Sequence, residues 1–163
     1  MAYSGEIYPA KPFEFKMERP HVAYVSGAGP NIFGHALFSF GQSVGYIHVD
    51  ELYAFPKLLT PAGFSTYLSE NGKTVLHREY LYDLSSPQRS LDEAERLRKI
   101  KWFWALVPHN CVAFAEQIAG AGGSQWTSKT NMPSVSAKVE KTRDSIKKSM
   151  KMLDNIARYG RPF

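Results

Sequence analysis

Two short alternating segments set the strongest constraint on how this chain folds. Phe33-Gly34-His35-Ala36-Leu37-Phe38-Ser39-Phe40-Gly41 and Gly45-Tyr46-Ile47-His48-Val49-Asp50 are separated only by Gln42-Ser43-Val44, with a glycine on either side of the turn. Aromatic and β-branched residues bounded by glycines predict a β-hairpin. The side-chain period of two puts His35, Leu37 and Ser39 on one face of the first strand, and Tyr46, His48 and Asp50 on one face of the second. A tight antiparallel pair can then bring His35 and His48 within hydrogen-bond reach. Asp50 is a rival for the same orienting role.

A histidine pair gains chemical meaning from a nucleophile, and the chain has one cysteine. Cys111 lies in Val107-Pro108-His109-Asn110-Cys111-Val112-Ala113-Phe114-Ala115-Glu116-Gln117-Ile118. Apolar residues at 111, 114, 115 and 118 follow the i, i+3, i+4, i+7 rule of an amphipathic helix. The thiol then sits where the first N–H groups lack intrahelical partners and the dipole is positive, which favours thiolate. A thiol nucleophile also needs a base, oriented by a third polar group. The plain alternative is that Cys111 is a small buried hydrophobe in a non-enzymatic binding domain.

The residues His35, His48 and Asn110-Cys111-x-x-Phe114, histidines first and cysteine last, resemble the circularly permuted papain-like hydrolases. These are the NlpC/P60 superfamily and its lecithin:retinol acyltransferase-like branch. The resemblance covers about residues 20 to 123. It implies an α+β fold in which a small antiparallel sheet packs against the helix carrying the nucleophile. It also implies catalytic roles for Cys111, His35 as base and His48 as third residue, with Asp50 as the alternative orienting group and Asn110 and Phe114 supporting the motif. Where the eukaryotic acyltransferases carry Glu-His after the cysteine, this chain has Val112-Ala113. An amidase or peptidase working through a thioester, for example on peptidoglycan peptides, is therefore expected ahead of a thiol phospholipase or acyltransferase acting on membrane lipid.

At 163 residues the chain is long enough for one domain with its own core. One cysteine excludes an intramolecular disulfide and a Cys-rich zinc site, and no metal or cofactor is expected. Met1 to Glu6 lacks a signal-peptide pattern, and no apolar run approaches a membrane span. The expectation is cytoplasmic synthesis. Family habit adds a toxin effector exported by a specialised secretion system, with an immunity or chaperone protein as partner.

The net charge of +5 is concentrated at one end. Residues 134–163 hold eight basic and three acidic residues, leaving 12 of each sign in the first 133. Val139, Ile146, Met150, Leu153 and Ile156 fall near one helical face there, so a basic amphipathic helix is expected, with anionic membrane or an acidic protein as candidate partner. Nucleic acid is not expected, because no aromatics interleave with the basic residues. The organisation is an extended arm over 1–20, the catalytic domain over 21–123, a linker over 124–133 and the basic helix over 134–163.

Within the domain, His21 to Val25 and Lys73 to Leu81 read as further strands, and Pro61 to Leu68 as a short helix closed by Asn71-Gly72. His77, on the second of those strands, is a weaker candidate for the orienting role. Ser90-Leu91-Asp92-Glu93 reads as a capping box starting a helix through about Trp104, with Leu97, Ile100 and Trp104 buried. Trp102, Phe103 and Trp104 are core by this reading, or line an apolar cleft by Cys111. His109 is expected to point to solvent.

Overall fold

The structure, a computed structural model, describes Tyr8 and residues 16–27, 34–49, 53–103 and 110–127. The chain divides into two compact units, Met1–Thr127 and Ser128–Phe163. The second, with the expected basic helix, lies outside the described residues.

The first unit is α+β. Seven strands and three helices are described: β1 (His21–Val25), β2 (His35–Gly41), β3 (Gly45–His48), β4 (Tyr53–Ala54), β5 (Lys57–Leu59), α1 (Pro61–Glu70), β6 (Val75–Tyr80), α2 (Pro87–Arg98), β7 (Trp102–Phe103) and α3 (Cys111–Ala121). Five strands form an antiparallel sheet in the order β5-β3-β2-β1-β6, and β4 pairs with β7 separately.

The expected hairpin is the centre of this sheet. β2 is buried along its whole length, with β1 on one side and β3 on the other. A strand buried on both faces requires a layer on each side. Its even-numbered residues, Ala36, Phe38 and Phe40, join Val22, Ile47 and Val49 in a cluster with Cys111, Phe114, Ala115 and Ile118 of α3 and with Leu91, Ala94 and Leu97 of α2. The opposite face carries Ala23, Leu37, Tyr46 and Leu59, covered by Phe64 and Tyr67 of α1. Phe64 stacks on Tyr46 with ring centroids 3.9 Å apart. Thr60 caps α1 by accepting from the Gly63 N–H at 2.9 Å, and Pro61 opens the helix without leaving a donor unpaired.

The start of α2 corrects the sequence expectation. The helix begins at Pro87 after Ser86, whereas Ser90 lies within it and its hydroxyl donates to the Ile118 carbonyl of α3 at 2.8 Å. Proline at the first helical position sets the start, and the serine read as a cap is a fully buried contact between two helices. Glu93 meets Arg96 and Gln117 instead of closing a capping box. The helix also stops at Arg98, short of Trp104. Trp102 turns inward, pairing across from Ala54 and meeting the Phe114 ring edge-on at 5.1 Å. Leu97 is buried as expected, Ile100 is exposed, and Trp104 lies outside the described residues.

Tyr8 and residues 16–20 of the arm dock on the domain. The Tyr8 N–H donates to Leu58 at 3.0 Å, its hydroxyl donates to the Val44 carbonyl, and the Glu18 N–H donates to Phe40 at 2.8 Å. At the far end, Asp83 accepts from the Ser124 hydroxyl at 2.7 Å and from the Gln125 N–H at 2.8 Å, which ties the residues after α3 to the unit.

Gly34, which leads into His35, has φ +80, and a Cβ there would run into the Val25 carbonyl. The left-handed backbone and the close approach both require glycine. Gly34→Ala should lower stability by about 1–3 kcal/mol, read from urea unfolding, through strain plus collision. An unchanged midpoint would contradict this packing.

Candidate active site

His35 opens β2 and His48 closes β3, and both side chains leave the sheet toward α1. The β2–β3 register pairs Phe38 with Ile47 and Ser39 with Tyr46. Continued by one step it sets His48 opposite Leu37, so the two histidines are diagonal neighbours on one face. His35 Nε2 and His48 Nδ1 are 3.0 Å apart in a buried hydrogen bond. The rings meet edge-on, and the Tyr67 ring of α1 lies 4.9 Å from that of His48.

The cysteine approaches from the other layer. Asn110 caps α3, its side-chain oxygen accepting from the N–H groups of Val112 and Ala113, each at 3.0 Å. That cap fixes where the helix starts and therefore where Cys111 stands, consistent with a turn-shaping role for Asn110. Phe114, one turn on, is buried against Trp102 and anchors the helix. The paired part of β2 and β3 ends at Phe38 and Ile47, and beyond it the Ala36 N–H donates to Cys111 Sγ at 3.4 Å. The sulfur thus meets β2 at the residue that follows His35. The thiol comes from the α3 layer and the histidine pair from the α1 layer, and the sulfur's hydrogen bond is to the β2 backbone beside His35.

Burial works against the thiolate that the helix start favours. Burial is the largest influence on Cys111, only 8% exposed, and it pushes the thiol pKa up. The N–H groups of Ala36, Cys111 and Val112 and the charge of Lys73 pull in the opposite direction without prevailing. Burial therefore favours the neutral thiol over the thiolate at rest. His48, with no solvent exposure, is driven down to about 3 by burial first and then by the charges of Lys57 and Lys73, so its ring is neutral at physiological pH.

Lys73 escaped the sequence reading. It is 7% exposed, and its ammonium donates to the Ser26 carbonyl at the end of β1 at 3.1 Å. Burial lowers its pKa, while Cys111 raises it. A lysine following Asn71-Gly72 reads as an ordinary turn residue, and nothing in the local pattern marks it as buried.

The remaining histidines separate from this centre. His77 is exposed on the edge strand β6 and stacks on Tyr24. His21 is buried at the other end of β1, its Nδ1 3.1 Å from the Arg19 carbonyl. Asp50 and His109 lie outside the described residues. Among the described residues no three His, Cys, Asp or Glu side chains are grouped to hold a metal ion. No family model, curated protein or solved structure matches the chain.

The buried neutral histidine gives a signed pH dependence. The unfolded chain protonates His48 near the ordinary 6.5 and the folded chain only near 3, so the unfolded state binds more protons between those values. Stability is full above about pH 6.5 and falls as the pH drops toward 3. His21, also lowered chiefly by burial, adds in the same direction. Urea midpoints should be level from pH 7 to 8 and decline below about 6, with a shallower decline in His48→Gln. Identical slopes in the two proteins would show that His48 is not held neutral.

Proposed function

We propose that this protein is a cysteine-dependent hydrolase of the permuted papain-like type, an amidase or peptidase acting through a thioester. The observation that carries the reading is the buried His35–His48 hydrogen bond, with the N–H of the residue after His35 on the Cys111 sulfur. The neutral state of His48 supports a specific tautomer. If His48 Nδ1 accepts from His35 Nε2–H, then His35 Nδ1 is the basic nitrogen, as a general base for a thiol requires.

The Cys111 proton passes to His35 as the sulfur attacks the substrate carbonyl. The oxyanion is stabilised by the N–H of Cys111, which at the first position of the helix has no intrahelical acceptor. The imidazolium returns the proton to the leaving amine, the C–N bond breaks and a thioester remains. Water, deprotonated by His35, releases the acid and restores the thiol. His48 holds the His35 ring in plane throughout.

A second reading is thiol lipase or acyltransferase chemistry on membrane lipid. It is favoured by Tyr53 and Phe55, which are exposed beside β4 with the Lys101 ammonium 5.0 and 5.8 Å from their ring centroids. An apolar ring beneath a cation suits an anionic lipid surface.

Purified peptidoglycan and phospholipid vesicles, each incubated with wild type and with Cys111→Ala, separate the two chemistries. New amines without free fatty acid are expected from wild type alone, and fatty acid without amines would favour the lipid reading. His35→Ala should reduce turnover by roughly 10²- to 10⁴-fold, the usual contribution of a general base. Equal turnover by wild type and Cys111→Ala would overturn a thiol mechanism.

A further inference from the structure

The candidate nucleophile sits in a site that opposes its ionisation. Burial raises the Cys111 thiol, and the His48 ring beside His35 is held neutral, so the orienting member of the pair supplies no positive charge to the sulfur. A buried thiolate without a counter-charge is strongly disfavoured. Among the described residues, the charged side chains that bear on this centre come from two places. Lys57 of β5 lies opposite His48 in the sheet register and acts on that ring. Lys73, just before β6, acts on both His48 and Cys111.

Lys73 is held there by the fold. Its backbone N–H donates to Leu68 of α1 at 2.8 Å. The next residue exchanges hydrogen bonds with Ser26: Ser26 N–H to the Thr74 carbonyl at 2.8 Å, and Thr74 N–H to Ser26 Oγ at 2.9 Å. The ammonium then bonds the Ser26 carbonyl. Ser26 follows Val25, which pairs with His35, and Ala36 beyond it carries the sulfur contact. The lysine, the base and the thiol are thus tied to the same end of β1 and β2. Among the described residues Lys73 forms no salt bridge, and the Ser26 carbonyl engages one of its three N–H donors.

We propose that Lys73 is the counter-charge of the Cys111 thiolate, a positioning residue whose ammonium, clamped to the end of β1, helps the sulfur ionise. On ionisation the S–H bond breaks, the electron pair stays on sulfur and the proton goes to His35 or to water; Lys73 remains protonated and gives up no proton. This deepens the hydrolase reading and rests on Cys111 being its nucleophile. The coupling is reciprocal, since the lysine favours the thiolate as the thiolate favours the ammonium.

Because the chain has a single cysteine, alkylation by iodoacetamide reports on Cys111 alone, with no substrate required. Rate–pH profiles of the 163-residue protein should show alkylation at neutral pH about tenfold slower in Lys73→Met, with the midpoint displaced upward, and largely restored in Lys73→Arg. A Lys73→Met profile that superimposes on wild type overturns the proposal, even if that variant has lost turnover. If Lys73→Met does not fold, the lysine itself is read in protein carrying ¹³C-labelled lysine. The Lys73 titration should move to lower pH in Cys111→Ser, and an unmoved titration overturns the proposal. Failure of the hydrolase reading is distinct, because it appears as absent turnover in wild type whatever the thiol profile.

Discussion

The contact between the Ala36 N–H and the Cys111 sulfur is the constraint on which the site depends. Along most of β2 the backbone donors go to neighbouring strands, but the β2–β3 pairing ends at Phe38 and Ile47. Beyond that point a donor faces the α3 layer's end, and the sulfur takes it at 3.4 Å. Were the hairpin paired to its end, the thiol would have no place in the plane of the sheet. The opening therefore lets a side chain from one layer reach the strand that carries a histidine into the other. Asn110 fixes the helix start and Gly34 allows β1 to close against the chain just before His35.

Burial gives this centre its electrostatic character. The same exclusion of water raises the thiol, lowers His48 and lowers Lys73, and these shifts have different consequences for chemistry. A neutral His48 can accept a hydrogen bond and orient a ring, but it cannot stabilise an anion as an imidazolium would. The helix N-terminus alone does not overcome desolvation, although the N–H groups of Cys111 and Val112 favour the anion. A cation near the sulfur offsets part of that cost, and among the described residues Lys73 acts on both Cys111 and His48.

Much of the framework was legible in the sequence because it rests on local signals. Gly41 and Gly45 mark the hairpin turn, alternation pairs His35 with His48 on one face, and the 3.6 period places Cys111, Phe114, Ala115 and Ile118 inward. Pro61 and Asn71-Gly72 mark the two ends of α1. What failed depended on tertiary context. Ser90 carries the composition of a cap but is spent on α3, and Trp102 leaves a helical pattern to pack on Phe114. The state of the thiol and the burial of Lys73 follow from neighbours distant in sequence, which no local window contains. Helix position favours a thiolate, and the depth of the site works against it.

The central claim is that Cys111 and the histidine pair form one reacting centre although their side chains arise from opposite layers. The measurement that tests it most directly is the separation of Cys111 Sγ from the nearer ring nitrogen of His35 in a crystal structure of the wild-type protein carrying a peptide aldehyde on the sulfur. The account predicts that the nitrogen lies within about 4 Å of the sulfur, with the His35–His48 bond intact. A sulfur separated from the ring by the strand itself, beyond any hydrogen-bond path, would contradict it.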